Sequence, residues 1–191
     1  MLNLSVNVAY KFGKGISPRQ FMESMERNKE EFARGYEAFV WVNDEDREFF
    51  ESLQFRDDLR VLILAAEWCG DVVRSVPVVF RALEAAGLKT EVLILEEHQD
   101  LMDHFLTMGG RSVPVVILAD PGGHVLGHWG PRPRHVQQLM VDFKRENPVR
   151  EAADYEEKIA VVRKRMAEKY EEGAGVNASV VAELRELISG M

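Results

Sequence analysis

The sequence predicts an α/β sandwich on a mixed sheet of four or more strands, with elements in the order βαβαββα and helical extensions at both ends. Three observations carry this. Two continuous apolar runs, Val61-Leu62-Ile63-Leu64 and Val92-Leu93-Ile94-Leu95, have the length and composition of strands buried on both faces. The segment between them has helical length and closes at Gly87, a residue suited to a helix C-terminus. A third run, Val113 to Leu118, is followed by the turn cluster Asp120-Pro121-Gly122-Gly123 and by His124 to Trp129, the pattern of a hairpin.

The remaining elements follow in order. A short edge strand is expected at the extreme N-terminus. Ser17-Pro18-Arg19-Gln20 is a capping box with proline at the first helical position. Phe21, Met25, Phe32, Tyr36 and Phe39 then recur at helical spacings, which predicts one helical face. Asn43 with Asp44, Glu45 and Asp46 opens a second helix carrying Phe49, Phe50 and Leu53. Asp100 to Thr107 reads as a short helix ending at Gly109-Gly110. Gly130-Pro131-Arg132-Pro133 breaks the chain, and His135 to Lys144 is helical. From Asn147 two charged amphipathic helices are expected to pack on the core, with a break near Gly173-Ala174-Gly175. Their apolar positions include Ile159, Val162, Met166, Val181, Leu184 and Leu187. The expected division is a helical N-terminal extension over residues 1–56, an α/β domain over 57–146 and a two-helix C-terminal extension over 147–191.

The chain has 191 residues, enough to build a core without staples. Its formal charge of −8 argues against a nucleic-acid or membrane-surface partner, because neither attracts an acidic surface. No apolar run has the length of a bilayer span, and residues 1–5 lack the features of a signal peptide. A single cysteine excludes an internal disulfide. The expectation is a cytoplasmic protein whose Cys69 stays reduced at rest.

Cys69 follows an apolar strand and opens a helix, where free N–H groups and the helix dipole favour a thiolate. Asp71 in the same turn offsets part of that, so a mildly activated thiol is expected; an inert small residue is the alternative. Asp71 itself is either a first-turn acid favoured by the dipole or a functional group, as a proton shuttle or ligand. Arg74, Arg111 and Arg132 are candidates to converge on the Cys69 face and take a carboxylate or phosphate. Trp68 and Trp129 form either an apolar ligand wall or core. His124 and His128, four apart on a strand, face one way, but no ligand spacing supports a metal site there.

Trp68-Cys69-Gly70 resembles the thioredoxin motif W-C-G-P-C. Pro77 lies eight residues past Cys69, as does the proline in the thioredoxin active-site helix. Pro114, 45 past Cys69, is similar to the family's cis-proline, and Gly130, 16 further on, to a glycine beside the active site. A closer resemblance is to a branch of bacterial thioredoxin-like proteins that read W-C-G-D, G-G-R-S-[IV]-P and W-G-P-R-P, here Trp68 to Asp71, Gly109 to Pro114 and Trp129 to Pro133. The resemblance spans roughly residues 58–145 and implies a thioredoxin-like fold, with Cys69, Trp68, Gly70, Asp71 and Pro114 at the catalytic position. Val113, Arg74, Arg111, Trp129 and Arg132 would bind substrate.

Three residues depart from the family pattern. Val72 stands where a dithiol enzyme has its second cysteine, Asp71 where the motif has proline, and Ile63 where thioredoxins bury an aspartate. Without a resolving thiol, attack on a disulfide stops at a mixed disulfide. The expected function is therefore thiol–disulfide exchange, or mixed-disulfide formation, through one thiol, with a low-molecular-weight thiol or a protein client as partner. The glutathione anchors of glutaredoxins are not evident: Ala66 stands where many carry lysine. A non-catalytic module gripping an extended peptide at the Pro114 loop is the rival reading. A thiol-ligated cluster shared between two chains is the third. No resident cofactor or metal is implied.

Overall fold

The computed structural model describes residues 6–172 and 175–191. The expected break at Gly173-Ala174 and most of the expected N-terminal edge strand lie outside these residues. Four strands, β1 (Arg60–Ala65), β2 (Thr90–Ile94), β3 (Val115–Ala119) and β4 (Val125–Trp129), form one sheet in the order β2-β1-β3-β4. β1 pairs parallel with β2 and antiparallel with β3, and β3 with β4 makes the hairpin. β1 takes the centre because Val61 to Ala65 are all buried, so no side chain needs water on either face. This is the sheet that the resemblance to thioredoxins implies.

Among the described residues eight α-helices surround it: α1 (Pro18–Ser24), α2 (Lys29–Glu37), α3 (Asp44–Ser52), α4 (Gly70–Ala86), α5 (Gln99–Met102), α6 (Arg134–Glu146), α7 (Tyr155–Lys169) and α8 (Gly175–Ser189). α4 is the hub, touching α2, α3 and α8. The Ser17 capping box forms as expected, and Asn43 caps α3 by accepting from Asp46 N. Pro77 is buried inside α4 and packs against Gly35 of α2, where a β-carbon would lie 3.3 Å from its ring. α8 delivers Val180, Val181, Leu184 and Ile188 to the main core. α7 packs mainly on α6, in two small clusters: Val136 with Met166 and Tyr170, and Phe143 with Tyr155 and Ile159.

Several expected elements are shorter than their apolar pattern. The single N-terminal face belongs to two helices, because Asn28 takes a left-handed conformation (φ 57°) between α1 and α2. Glu67, beside Trp68, holds this break. Its carboxylate accepts from the N–H groups of Glu26 and Arg27 at 2.7 and 3.2 Å, and Asn28 donates to its carbonyl at 2.9 Å. The helix expected from Asp100 to Thr107 shrinks to α5 plus a tight turn, in which Met108 and Gly109 both have positive φ and Thr107 pairs with Gly110. β2 ends at Ile94, so Leu95 opens a 3-10 turn instead of closing the strand.

Residues 6–16 reach both edges of the sheet. Val8 donates to Gly123 O at 2.7 Å and Val6 accepts from Val125, beside β4. Ile16 exchanges two backbone hydrogen bonds with Val92 of β2, at 2.9 and 2.7 Å. In the core, the rings of Phe21 (α1), Phe32 (α2) and Phe80 (α4) form a triangle with centroids 5.7–6.2 Å apart. All three are at most 2 % exposed. Edge-to-face contacts of this kind add to the area each ring buries.

The triangle ties the N-terminal helices to α4 and, through it, to the sheet. Phe32→Ala should therefore lower the unfolding free energy by about 3–5 kcal/mol, measured by urea titration followed at both far-UV and tryptophan signals. A loss under about 1 kcal/mol, or two separated transitions, would show that α1 and α2 unfold independently.

Candidate functional site

Cys69 is the N-cap of α4, directly after the loop that leaves β1. Its backbone is extended (φ −84°, ψ 123°), and its N–H donates to Ala66 O at 3.1 Å. The side chain is half-buried and donates to Val113 O at 3.3 Å. The Val113–Pro114 peptide is cis, and so is Gly130–Pro131. Gly130 (φ 123°) lies against this loop: a β-carbon there would sit 2.1 Å from Pro114 O, so only glycine fits.

Burial pushes the Cys69 thiol up from its ordinary value, and the nearby Asp71 charge adds to this. The N–H groups of Val72 and Asp71, and the Arg132 guanidinium, pull the other way without prevailing. The expectation of a mildly activated thiol is thus corrected. A helix start does offer N–H groups to the sulfur, but desolvation disfavours the charged form more.

Asp71 is far more than a first-turn acid. One carboxylate oxygen accepts from Arg132 Nε and Nη2 at 3.0 and 2.7 Å, and the other accepts from Tyr170 Oη at 2.6 Å. The Arg132 and Asp71 side chains are 9 % and 17 % exposed, so the pair is largely withdrawn from water. Arg132 also donates to Gln137 of α6. Burial first, and Asp71 second, hold the Tyr170 phenol well above its ordinary range, so it remains a donor. Tyr170 also carries the Arg74 guanidinium 5.7 Å from its ring centre.

These groups open onto a cleft of about 630 Å³. Trp68, Cys69, Gly70, Asp71, Arg74, Arg111, Val113 and Arg132 all line it. The three arginines therefore share one cleft, in different states. Arg132 is neutralised by Asp71, and Arg111 pairs with Asp103 at 2.6 Å in solvent. Arg74 bends back to Gly70 O at 3.3 Å, directly over the glycine, where a β-carbon would meet its Nη1 at 2.8 Å. Trp68 is half-exposed at the rim, anchored by Glu96 at 2.6 Å.

Two expected site residues lie elsewhere. Trp129 is 7 % exposed and donates to Glu183 of α8 at 2.7 Å, so it belongs to the core facing α8 and not to the cleft. Pro114 is buried behind Val113 and shapes the wall without lining it. His124 and His128 are both exposed but make separate contacts: His124 bonds Asp120 and His128 lies edge-on to Phe105. Among the described residues no group of three or more His, Cys, Asp or Glu side chains is placed to hold a metal ion.

The far wall comes from α6, α7 and the loop between them, with Lys144, Tyr155, Arg163 and Tyr170, none of which sequence reasoning assigned to the site. One signal pointed to Tyr170. It continues the Ile159, Val162, Met166 stripe by one turn, which marks an inward position. Nothing local named Asp71 as its partner.

Residues 15–158 match the model of the family described as Thioredoxin. No curated protein matches the chain. Among solved structures, it is similar to a Pseudomonas aeruginosa protein of unknown function, at 15 % identity over 97 % of this chain and 98 % of that one, with a TM-score of 0.65. It is also similar to an HIV epitope-scaffold, at 15 % identity over 97 % and 99 % of the two chains, with a TM-score of 0.62. At such identity both likenesses are of fold.

The opposed charges around the thiol give a test by sign. Asp71→Asn should speed alkylation of Cys69 by iodoacetamide at neutral pH, because it removes a negative neighbour that disfavours the thiolate. Arg132→Gln should slow it. In the unaltered protein the rate should climb through alkaline pH with a midpoint above that of free cysteine. Rates that move the same way in both variants would mean access, not charge, controls the thiol.

Proposed function

The chain belongs to the thioredoxin family, and on that premise we propose that it uses Cys69 as a single nucleophilic thiol, forming mixed disulfides with a low-molecular-weight thiol or a protein client. The observation that supports this most is the position of Cys69: half-buried at the start of α4, with its sulfur facing a ligand-sized cleft.

At rest the thiol proton is held toward Val113 O. When the proton leaves to solvent, the N–H groups of Asp71 and Val72 receive the negative sulfur. The thiolate attacks one sulfur of a disulfide. A new S–S bond forms to Cys69, the old one breaks, and the departing thiolate takes up a proton. Val72 is fully buried and carries no thiol, so release requires a second, external thiol to attack the mixed disulfide and return Cys69 as the leaving group. Ile63, equally buried, provides no proton acceptor for such a step from within. The raised thiol makes this a slow nucleophile at neutral pH.

That same raised thiol favours a second reading, a binding module in which Cys69 is incidental and the Val113 wall grips a ligand. Since Trp129 is withdrawn into the core, such a grip would rest on Trp68, Arg74 and Arg111. No helix among the described residues is long and apolar enough to cross a membrane.

Intact mass separates the two readings. Exposure to oxidised glutathione, or to the uncharged 2-hydroxyethyl disulfide, should add a single thiol that is absent in Cys69→Ser; folded protein that takes up neither at mildly alkaline pH would leave only the binding module. Insulin reduction with dithiothreitol should barely exceed background. Val72→Cys should raise it incompletely, because Ile63 leaves the second thiol without a proton acceptor. Brisk turnover by the unaltered protein would contradict single-thiol chemistry.

A further inference from the structure

The chain carries a net charge of −8, yet six of the cleft residues are lysine or arginine and only Asp71 is acidic. Asp71 is already spent on Arg132 and Tyr170. Arg111 has Asp103, and Arg74 has the Gly70 carbonyl and the Tyr170 ring. Lys144, Arg150 and Arg163 have no carboxylate partner among the described residues, although each lines the cleft. Elsewhere on the same helices, Arg145 and Lys158 are paired with Asp142 and Asp154.

The positions of Lys144 and Arg163 give the ligand a length. Gln137 of α6 touches Arg132, and Lys144 is seven residues further along that helix. Tyr170, just past α7, touches Asp71, and Arg163 is seven residues back. At 1.5 Å per residue each cation is about 10 Å along its helix from the Asp71 network. Between the two ends the wall is apolar, with Met140, Met166 and Ala167. An inorganic ion would leave that span empty. A neutral molecule would leave three unpaired cations facing it.

We propose that the cleft is a receptor for a small organic polyanion, with its phosphate or carboxylate groups held by Lys144, Arg150 and Arg163 and its apolar body lying along Met140, Met166 and Ala167 toward Cys69. This rests on the single-thiol reading only in making Cys69 the reacting end; the binding itself does not need the sulfur. Against a net charge of −8, a cleft lined by six cations attracts such ligands locally, where low-dielectric walls focus the field. Because the three cations are partly exposed, added salt should weaken the grip.

The test uses the full chain carrying Cys69→Ser, so that no thiol chemistry intervenes. Titration calorimetry at low salt with geranyl pyrophosphate and with benzene-1,3,5-tricarboxylate, each an anion with an apolar body, should show one-to-one binding of at least one, and which of them binds tells phosphate from carboxylate recognition. Lys144→Gln with Arg163→Gln should weaken that binding tenfold or more. Lys164→Gln with Arg165→Gln, an equal change of charge at exposed positions that do not line the cleft, should leave it within twofold. Should the first pair fail to fold, Arg150→Gln alone, at an exposed loop position, should weaken binding at least threefold. No binding of either probe at millimolar concentration, or equal weakening by the inner and outer pairs, would overturn the proposal. The single-thiol reading has its own readout in the 2-hydroxyethyl disulfide adduct, which carries no charge, so either reading can fail alone.

Discussion

A carboxylate set at the mouth of α4 and stripped of most of its water needs strong donors, and Asp71 finds them 61 and 99 residues away in sequence. Arg132 comes from the loop after the hairpin and Tyr170 from the end of α7. An isolated buried carboxylate costs several kcal/mol, and a guanidinium fork and a phenol are the kinds of donor that offset it. Because both must reach the same two oxygens, this one group fixes where the β4–α6 loop and the C-terminal helices sit relative to the thiol. The cleft exists because α7 is held there. Its electrostatic character follows as well: the negative charge beside Cys69 is balanced locally, while the cations further out are not.

The sheet was legible because its causes are local. Val61 to Leu64 and Val92 to Leu95 are too apolar to face water on either side, and Asp120 to Gly123 must turn. Helix starts at Ser17 and Asn43 were legible for the same reason, each cap acting within three residues. What misled was periodicity read without its interruptions. Phe21 to Phe39 does share one face, but Glu67, a residue remote in sequence, stabilises a left-handed Asn28 between the two helices. At the site, Cys69, Asp71, Arg74, Arg111 and Arg132 were found from spacing near known landmarks. Tyr170, Lys144 and Arg163 were not, since their roles arise from how α7 packs, which no short segment encodes.

The thiol illustrates how competing magnitudes decide a reading. A helix start favours the thiolate by about 0.3–1 kcal/mol. Desolvation of a mostly buried sulfur exceeds that, and a carboxylate two residues on adds to it. Dithiol enzymes of this fold use a second cysteine to resolve the bond; here Val72 fills that position with a methyl-bearing side chain packed in the core. The absence of a second thiol at Val72 and of a buried acid at Ile63 is chemically consistent, since the acid would serve that thiol.

The segment from Val6 to Ile16 bears on a different matter, the behaviour of the molecule in a crowded solution. A sheet with two free edges is a template on which further strands can grow, so edges invite self-association. Here one short stretch of backbone occupies a position on each edge, bonding Gly123 and Val125 beside one outer strand and Val92 on the other. Gly123 permits the approach, since a β-carbon there would lie 2.4 Å from Ala9 N. Protection against runaway strand addition is thus entrusted to residues that carry no chemistry. With both edges bare, the sheet would offer any extended chain two places to pair, neither of them beside the thiol.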